Sequence, residues 1–248
     1  MRKLGIAAAI IFGAIVLVFC MLTFIKCDDK PKNYLSQLHM IIAPTKTEKP
    51  DWVQLRDLMK NRCGKLCDFR IFDVREEKYA VLEVSGAKDP NMMASMLLMK
   101  GEPGLLDKDN NKIASSKDIT QAGIMVNDNY AKGIFFGVEL SESANERISK
   151  IVNALKSGEK YVINLYVDSV KTLTTEIAKG NFTNPIVFTA DPDTEAQLLD
   201  YLGQAITYRY PYELAVDRNN SFFVPPQSDK PGYIDFQDIL GKILVKQK

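Results

Sequence analysis

Near the start of the chain, the residues from Leu4 to Ile25 form a continuous apolar run with no charged residue. Its 22 positions would form a helix about 33 Å long, enough to cross a hydrocarbon layer of about 30 Å. A signal peptide has a shorter apolar region that ends in small residues, and no such site follows Ile25. The pattern favours an uncleaved transmembrane anchor over a cleaved signal or a buried helix. Arg2 and Lys3 oppose the lysines that follow the run, so charge alone does not decide the orientation.

From residue 36 the pattern changes, and segments of period two alternate with segments of period 3.6. Asp89 and Pro90 open one helix as N-cap and first helical residue, and Gly64 ends another. A loop over 101–112 is the candidate domain boundary. The first block contains the strand patterns LSQLHMII (35–42), FRIFDV (69–74) and YAVLEV (79–84) and the helix patterns WVQLRDLMKNR (52–62) and NMMASMLLMK (91–100).

The second block repeats this alternation. Ser143 and Glu146 are spaced as a capping box, and Asp191-Pro192 starts a helix in the same way as Asp89-Pro90. Beyond residue 216 the chain is rich in turn residues, which predicts a loosely ordered tail with a short helix at 236–246. The strand patterns are GIMVND (123–128), GIFFGVEL (133–140), YVINLYV (161–167), VKTLTTEI (170–177), NPIVFTA (184–190) and the closing edge strand ITYRYPYELAV (206–216). Together the two blocks predict an α+β fold.

Composition excludes several classes of protein. The chain has 32 Lys and Arg residues against 31 Asp and Glu residues, and the part after Arg2 and Lys3 has 30 against 31. Because basic and acidic residues are interleaved, the sequence predicts no nucleic-acid track. His39 is the only histidine and lies in a strand pattern, so His-based triads and zinc sites are excluded. No glycine-rich phosphate loop occurs, and we expect neither enzyme activity nor a cofactor nor a metal.

Two groups of sulfur-containing residues leave alternatives open. Cys63 and Cys67 form a C-x3-C pair around Gly64, which is either a local disulfide in an oxidising compartment or a pair of free thiols. The methionines of one helix either fill a core or form an adaptable exposed surface for polypeptide segments. These methionines are Met92, Met93, Met96 and Met99.

The order of the motifs resembles one known family, over roughly residues 50–214. LRDLMKNRCGKL (55–66) and LEVSGAKDP (82–90) look like the start of the large extracytoplasmic P1 domain of SecD, the accessory subunit of the bacterial Sec translocase. GIFFGVELSESANERISKIV (133–152) and GEKYVINLYVDSV (158–170) resemble the segments that follow, and YPYEL (210–214) stands at the exit of the domain. The family's D-L-x-G-G signature is missing, as is the proline of its D-g-k-v-i-s-a-P stretch. The functional residues of the family are therefore not carried over.

The resemblance implies a ferredoxin-like base at 33–100, an α/β-sandwich head at 101–214 and a C-terminal tail at 215–248, behind a transmembrane anchor at 4–25. It also implies a single-pass protein of the cell membrane, with a cytoplasmic N-terminus and an extracytoplasmic domain. The expected partners are unfolded or translocating polypeptide and Sec components. A single membrane span is too small to form a proton-coupled motor. The alternative function is a cell-envelope scaffold that keeps the SecD-like fold but takes no part in export. The candidate binding surface comprises the four methionines with Tyr208 and Tyr210 on the closing strand.

Overall fold

The computed structural model describes residues 36–45, 50–64, 68–76, 78–125, 134–190, 196–225 and 230–245. They form an α+β fold in which every strand pairing is antiparallel. None of the described helices is long and apolar enough to span a membrane, and the predicted anchor Leu4–Ile25 lies outside the described residues. The helices are α1 (Trp52–Cys63), α2 (Pro90–Leu98), α3 (Glu142–Asn153), α4 (Ala196–Thr207) and α5 (Ile239–Val245).

The largest sheet has six strands and combines both ends of the described chain. The strands are β1 (Gln37–Pro44), β2 (Asp68–Arg75), β3 (Tyr79–Ser85), β11 (Leu214–Val216), β12 (Phe222–Val224) and β13 (Gly232–Tyr233). Their order is β13-β12-β1-β3-β2, and β11 also pairs with β1. The chain order β1-α1-β2-β3-α2, with β3 between β1 and β2 in the sheet, is a split β-α-β arrangement. On the other side of β1, the place of the next strand is taken by β11 and β12.

Seven further strands form two smaller sheets in the described part of the chain. The strands are β4 (Pro103–Asp107), β5 (Lys112–Ala114), β6 (Ile119–Met125), β7 (Ile134–Leu140), β8 (Lys160–Val167), β9 (Val170–Ala178) and β10 (Ile186–Ala190). The strand orders are β5-β4-β8-β9 and β10-β7-β6. Asp168 and Ser169 both have positive φ, 49° and 68°, and make the two-residue turn that joins β8 to β9.

Local signals explain where the helices begin. The side chain of Asp51 accepts a hydrogen bond from Gln54 N at 2.9 Å, and that of Asp89 accepts one from Met92 N at the same distance. The prediction for Asp89-Pro90 is thus confirmed, as is the end of α1 at Gly64, whose φ is 46°. The capping-box prediction is wrong, because Ser141 caps α3 by accepting from Ala144 N. Asp191-Pro192 lies outside the described residues.

Two predictions for the C-terminal third are also wrong. The closing strand at 206–216 is reduced to Leu214–Val216, because Ile206 and Thr207 are the last two residues of α4. Most of the expected loose tail is ordered: β11 and β12 pair with β1, β13 pairs with β12, and α5 packs on β9. These pairings join residues far apart in the chain, so local periodicity does not reveal them.

Candidate polypeptide-binding surface

Three of the four predicted methionines lie in the core. Met92, Met93 and Met96 are buried, and Met99 is half-buried at the end of α2. The reason is the position of α2, which packs against β1, β11, α1, α4 and α5 and therefore has little free face. The prediction of an exposed methionine surface is therefore wrong. The alternative prediction holds, in which the flexible thioethers fill the core.

The predicted tyrosines do not form a surface strand either. Tyr208 is half-buried immediately after α4, and Tyr210 is only 2% exposed. Tyr210 N donates to Lys100 O at 2.9 Å, which ties this segment to the end of α2. Burial raises the pKa of Tyr210 to about 12. Tyr210 is therefore a core residue, whereas Tyr208 contributes mainly its carbonyl, which accepts from Arg62 Nε at 2.9 Å.

Arg62, which the sequence analysis did not single out, occupies the place where three helices end. It lies in the last turn of α1, is 0% exposed, and its guanidinium carbon is 3.6 Å from the centroid of the Tyr210 ring. Its N–H groups donate to carbonyls that end α2 and α4, where the helix dipoles favour a cation. Burial lowers the pKa of Arg62, and Tyr210 and Asp168 act in the opposite direction. The accepting carbonyls are those of Met96, Met99, Lys100, Ala205 and Tyr208.

The connection from α2 to β4 is fixed beside Arg62. Gly101 has φ of 78°, and a Cβ there would lie 2.1 Å from Ala205 O. The carboxylate of Asp168 accepts from Gly101 N at 3.0 Å and from Glu102 N at 2.8 Å. Arg62 and Asp168 thus hold the point at which the chain passes from the largest sheet to the smaller sheets.

The largest sheet has one covered face and one open face. Met40, Ile42 and Leu82 point into the core with α1 and α2, whereas the alternate residues of β1 and β3 are partly exposed. On the open face His39 stacks on Phe222, with ring centroids 4.8 Å apart. The Nδ1 atom of His39 is 3.4 Å from Glu83 Oε1. The prediction that His39 lies on one side of a sheet is confirmed.

The edge of this sheet at β2 carries an aromatic cluster. The rings of Phe69 and Phe72 are 6.3 Å apart, and Trp52 of α1 is 5.9 Å from Phe72. The sheet ends at β2, so no strand pairs with its outer side in the described part of the chain. An unpaired edge of eight residues presents backbone donors and acceptors to any extended chain that reaches it.

By contrast, helix α4 covers the outer edge of β6. Thr207 Oγ1 donates to Ala122 O and accepts from Ala122 N, both at 3.1 Å, as a neighbouring strand would. A Cβ on Gly203 would lie 2.9 Å from the Cα of Gly123, so only glycine allows this close approach. This edge is protected, and the edge at β2 is the better candidate for pairing with a polypeptide.

Cys63 is disulfide-bonded, and its partner lies outside the described residues, as do the other three cysteines. The Cys63–Cys67 pairing therefore stays a prediction. Among the described residues no group of three or more His, Cys, Asp or Glu side chains is arranged to hold a metal ion.

Comparison with known proteins relates this fold to solved structures. No protein-family model and no curated protein sequence matches the chain. A crystal structure of SecDF in its super-membrane-facing form matches with a TM-score of 0.58 and 10% identity, over 91% of this chain and 36% of that one. A second structure, of the membrane component SecDF that enhances protein export, matches with a TM-score of 0.55 and 9% identity, over 73% of this chain and 98% of that one. The chain thus spans about a third of the first SecDF structure, and its fold is SecD-like.

Proposed function

We propose that this chain is a membrane-anchored extracytoplasmic domain, equivalent to the P1 base and head of SecD, that binds extended polypeptide during Sec-dependent export. The observation that carries the proposal is the likeness to SecDF over 91% of the chain. The split β-α-β sheet corresponds to the ferredoxin-like base, and the two smaller sheets correspond to the head. In this proposal the domain acts as an accessory to export.

The binding step uses the β2 edge. An extended segment adds to the sheet by main-chain hydrogen bonds, which do not depend on its sequence. Phe69, Phe72 and Trp52 supply apolar contact beside this edge. A chain held in this way is hindered from sliding backwards, and this is the proposed accessory effect on export.

One further feature agrees with an extracytoplasmic location. Cys63 is disulfide-bonded, and disulfides persist mainly in oxidising compartments. Protease added to intact cells after permeabilising only the outer layers of the envelope should therefore digest the domain, and full protection would contradict this orientation.

The second candidate function is a membrane-tethered envelope scaffold. It is favoured by the burial of the methionines and Tyr210, because this burial removes the adaptable surface expected for varied polypeptides. Co-purification of the full chain under mild crosslinking separates the two functions. Recovery of Sec components and unfolded secretory proteins supports export, whereas recovery of folded envelope proteins alone supports the scaffold.

A further inference from the structure

The open face of the largest sheet contains a cavity whose lining is set by strand register. In one row Val224 and Ser85 flank Gln37, and in the next row Phe222 and Glu83 flank His39. Because side chains alternate between faces, these six side chains point to the same side of the sheet. The cavity between them has a volume of about 290 Å³. This is at the small end of the range for ligand sites and fits one side chain better than a whole cofactor.

Each polar side chain of this cavity can accept a hydrogen bond. Ser85 is only 4% exposed, and its Oγ has no hydrogen-bond partner in the described part of the chain. Glu83 has a side chain that is 47% exposed and a carboxylate that only accepts. When His39 Nδ1 donates to Glu83, its Nε2 is left as a further acceptor. The matching ligand is a group with several donors and a positive charge.

The remaining walls suit the stem of such a group. Phe222 offers an aromatic ring that attracts cations, and Val224 offers an apolar surface for an alkyl chain. On the neighbouring strand Asp73 is paired with Arg75 at 2.6 Å. Among the described residues that line the cavity, Glu83 is the one with a carboxylate.

We propose that this cavity binds a basic side chain, arginine before lysine, of an extended polypeptide that crosses the open face of the sheet. The inference rests on the proposed function and adds to pairing at the β2 edge a second contact, made by a part of the polypeptide that crosses the open face. Arginine is favoured because its planar group makes several hydrogen bonds at fixed angles and also stacks on aromatic rings. Lysine provides the positive charge but cannot stack its ammonium group flat on an aromatic ring.

The test compares two short labelled peptides of neutral, extended composition, one with a central arginine and one with citrulline, which has the same shape without the charge. Fluorescence anisotropy measures their affinity for the full chain in nanodiscs. We expect the arginine peptide to bind about three- to tenfold more tightly. Glu83→Gln should remove this difference, and Glu139→Gln, which changes an exposed carboxylate on β7, should keep it.

The outcomes separate this inference from the proposed function. If both peptides bind with equal affinity, polypeptide binding stands and the cavity assignment is overturned. If the preference for arginine persists in Glu83→Gln, the basic group binds elsewhere and the assignment is again overturned. If neither peptide binds, the proposed function fails, and the inference fails with it.

Discussion

The guanidinium carbon of Arg62 lies 3.6 Å from the centroid of the Tyr210 ring, with both residues buried. The contact joins the last turn of α1 to the segment after α4. Five carbonyls around the same guanidinium belong to residues in the last turns of α2 and α4 or just after these helices. A single cation therefore satisfies helix ends that would otherwise be buried without partners.

Arg62→Met should destabilise the domain strongly. The apolar side chain leaves several buried carbonyls unpaired, so we expect a loss of at least about 3 kcal/mol in the free energy of unfolding. Urea unfolding followed by circular dichroism measures the change. Arg56→Met on the same helix is the matched control, because Arg56 is exposed and should shift stability by less than about 0.5 kcal/mol. Equal effects of the two substitutions would contradict the role assigned to Arg62.

Gly101→Ala tests the close approach between the end of α2 and α4. Its Cβ would lie 2.1 Å from Ala205 O, in addition to the strain of φ at 78°. Gly180→Ala is the control for strain alone, since φ there is 79° and its Cβ meets no described atom within 4 Å. We expect a loss of about 1 kcal/mol for Gly180→Ala and a clearly larger loss for Gly101→Ala. The account is wrong on this point if the two melting temperatures fall equally.

Tyr210 makes the stability depend on pH in the alkaline range. Burial raises its pKa in the folded protein to about 12, against about 10 in the unfolded chain. Between these pH values the unfolded chain loses the proton and the folded protein keeps it. The contribution of Tyr210 to the free energy of unfolding is therefore fully present below pH 10 and declines as the pH rises towards 12.

Tyr210→Phe should lack this part of the decline. We expect the free energies of unfolding of variant and parent to diverge by up to about 3 kcal/mol in favour of the variant between about pH 10 and 12. Tyr233→Phe, at a side chain that is 89% exposed, should follow the parent. If the free energy of unfolding depends on pH in the same way in all three proteins, the pKa of Tyr210 is not raised in the folded protein.

The disulfide of Cys63 should contribute about 2 kcal/mol if it closes the small loop to Cys67. Reductant should lower the urea midpoint of the parent and leave that of Cys63→Ala unchanged. Peptide mapping without reduction identifies the partner, and Cys67 is the expected one. Modification of Cys63 by a maleimide in the unreduced, unfolded protein would disprove the bond.

Local chemistry accounts for the parts of the fold that could be predicted. The Asp89-Pro90 cap and the end of α1 at Gly64 both depend on residues a few positions apart. Pairing of β1 with β11 and β12 depends on residues more than 150 positions apart, and no periodicity indicates it. For this reason the sequence predicts a loose C-terminal tail where the structure has paired strands.

The site was harder to predict than the fold for the same reason. The methionine pattern is compatible with burial and with exposure, and only the packing of α2 decides between them. Leu55, Met59 and Arg62 follow the spacing of one helix face, so the sequence does contain a signal that Arg62 points inward. The cavity beside Glu83 depends on the register of three strands, which single-strand patterns do not reveal.

The central claim is tested most directly by photo-crosslinking in cells that hold an arrested secretory chain. A photoreactive phenylalanine analogue replaces Phe72 at the β2 edge or, as the matched control, the half-buried Phe135 in the central strand of a smaller sheet. The account predicts a crosslink from position 72 to the arrested chain that disappears when the chain is released, and much less from position 135. Absence of a crosslink to both the secretory chain and Sec components would contradict the account.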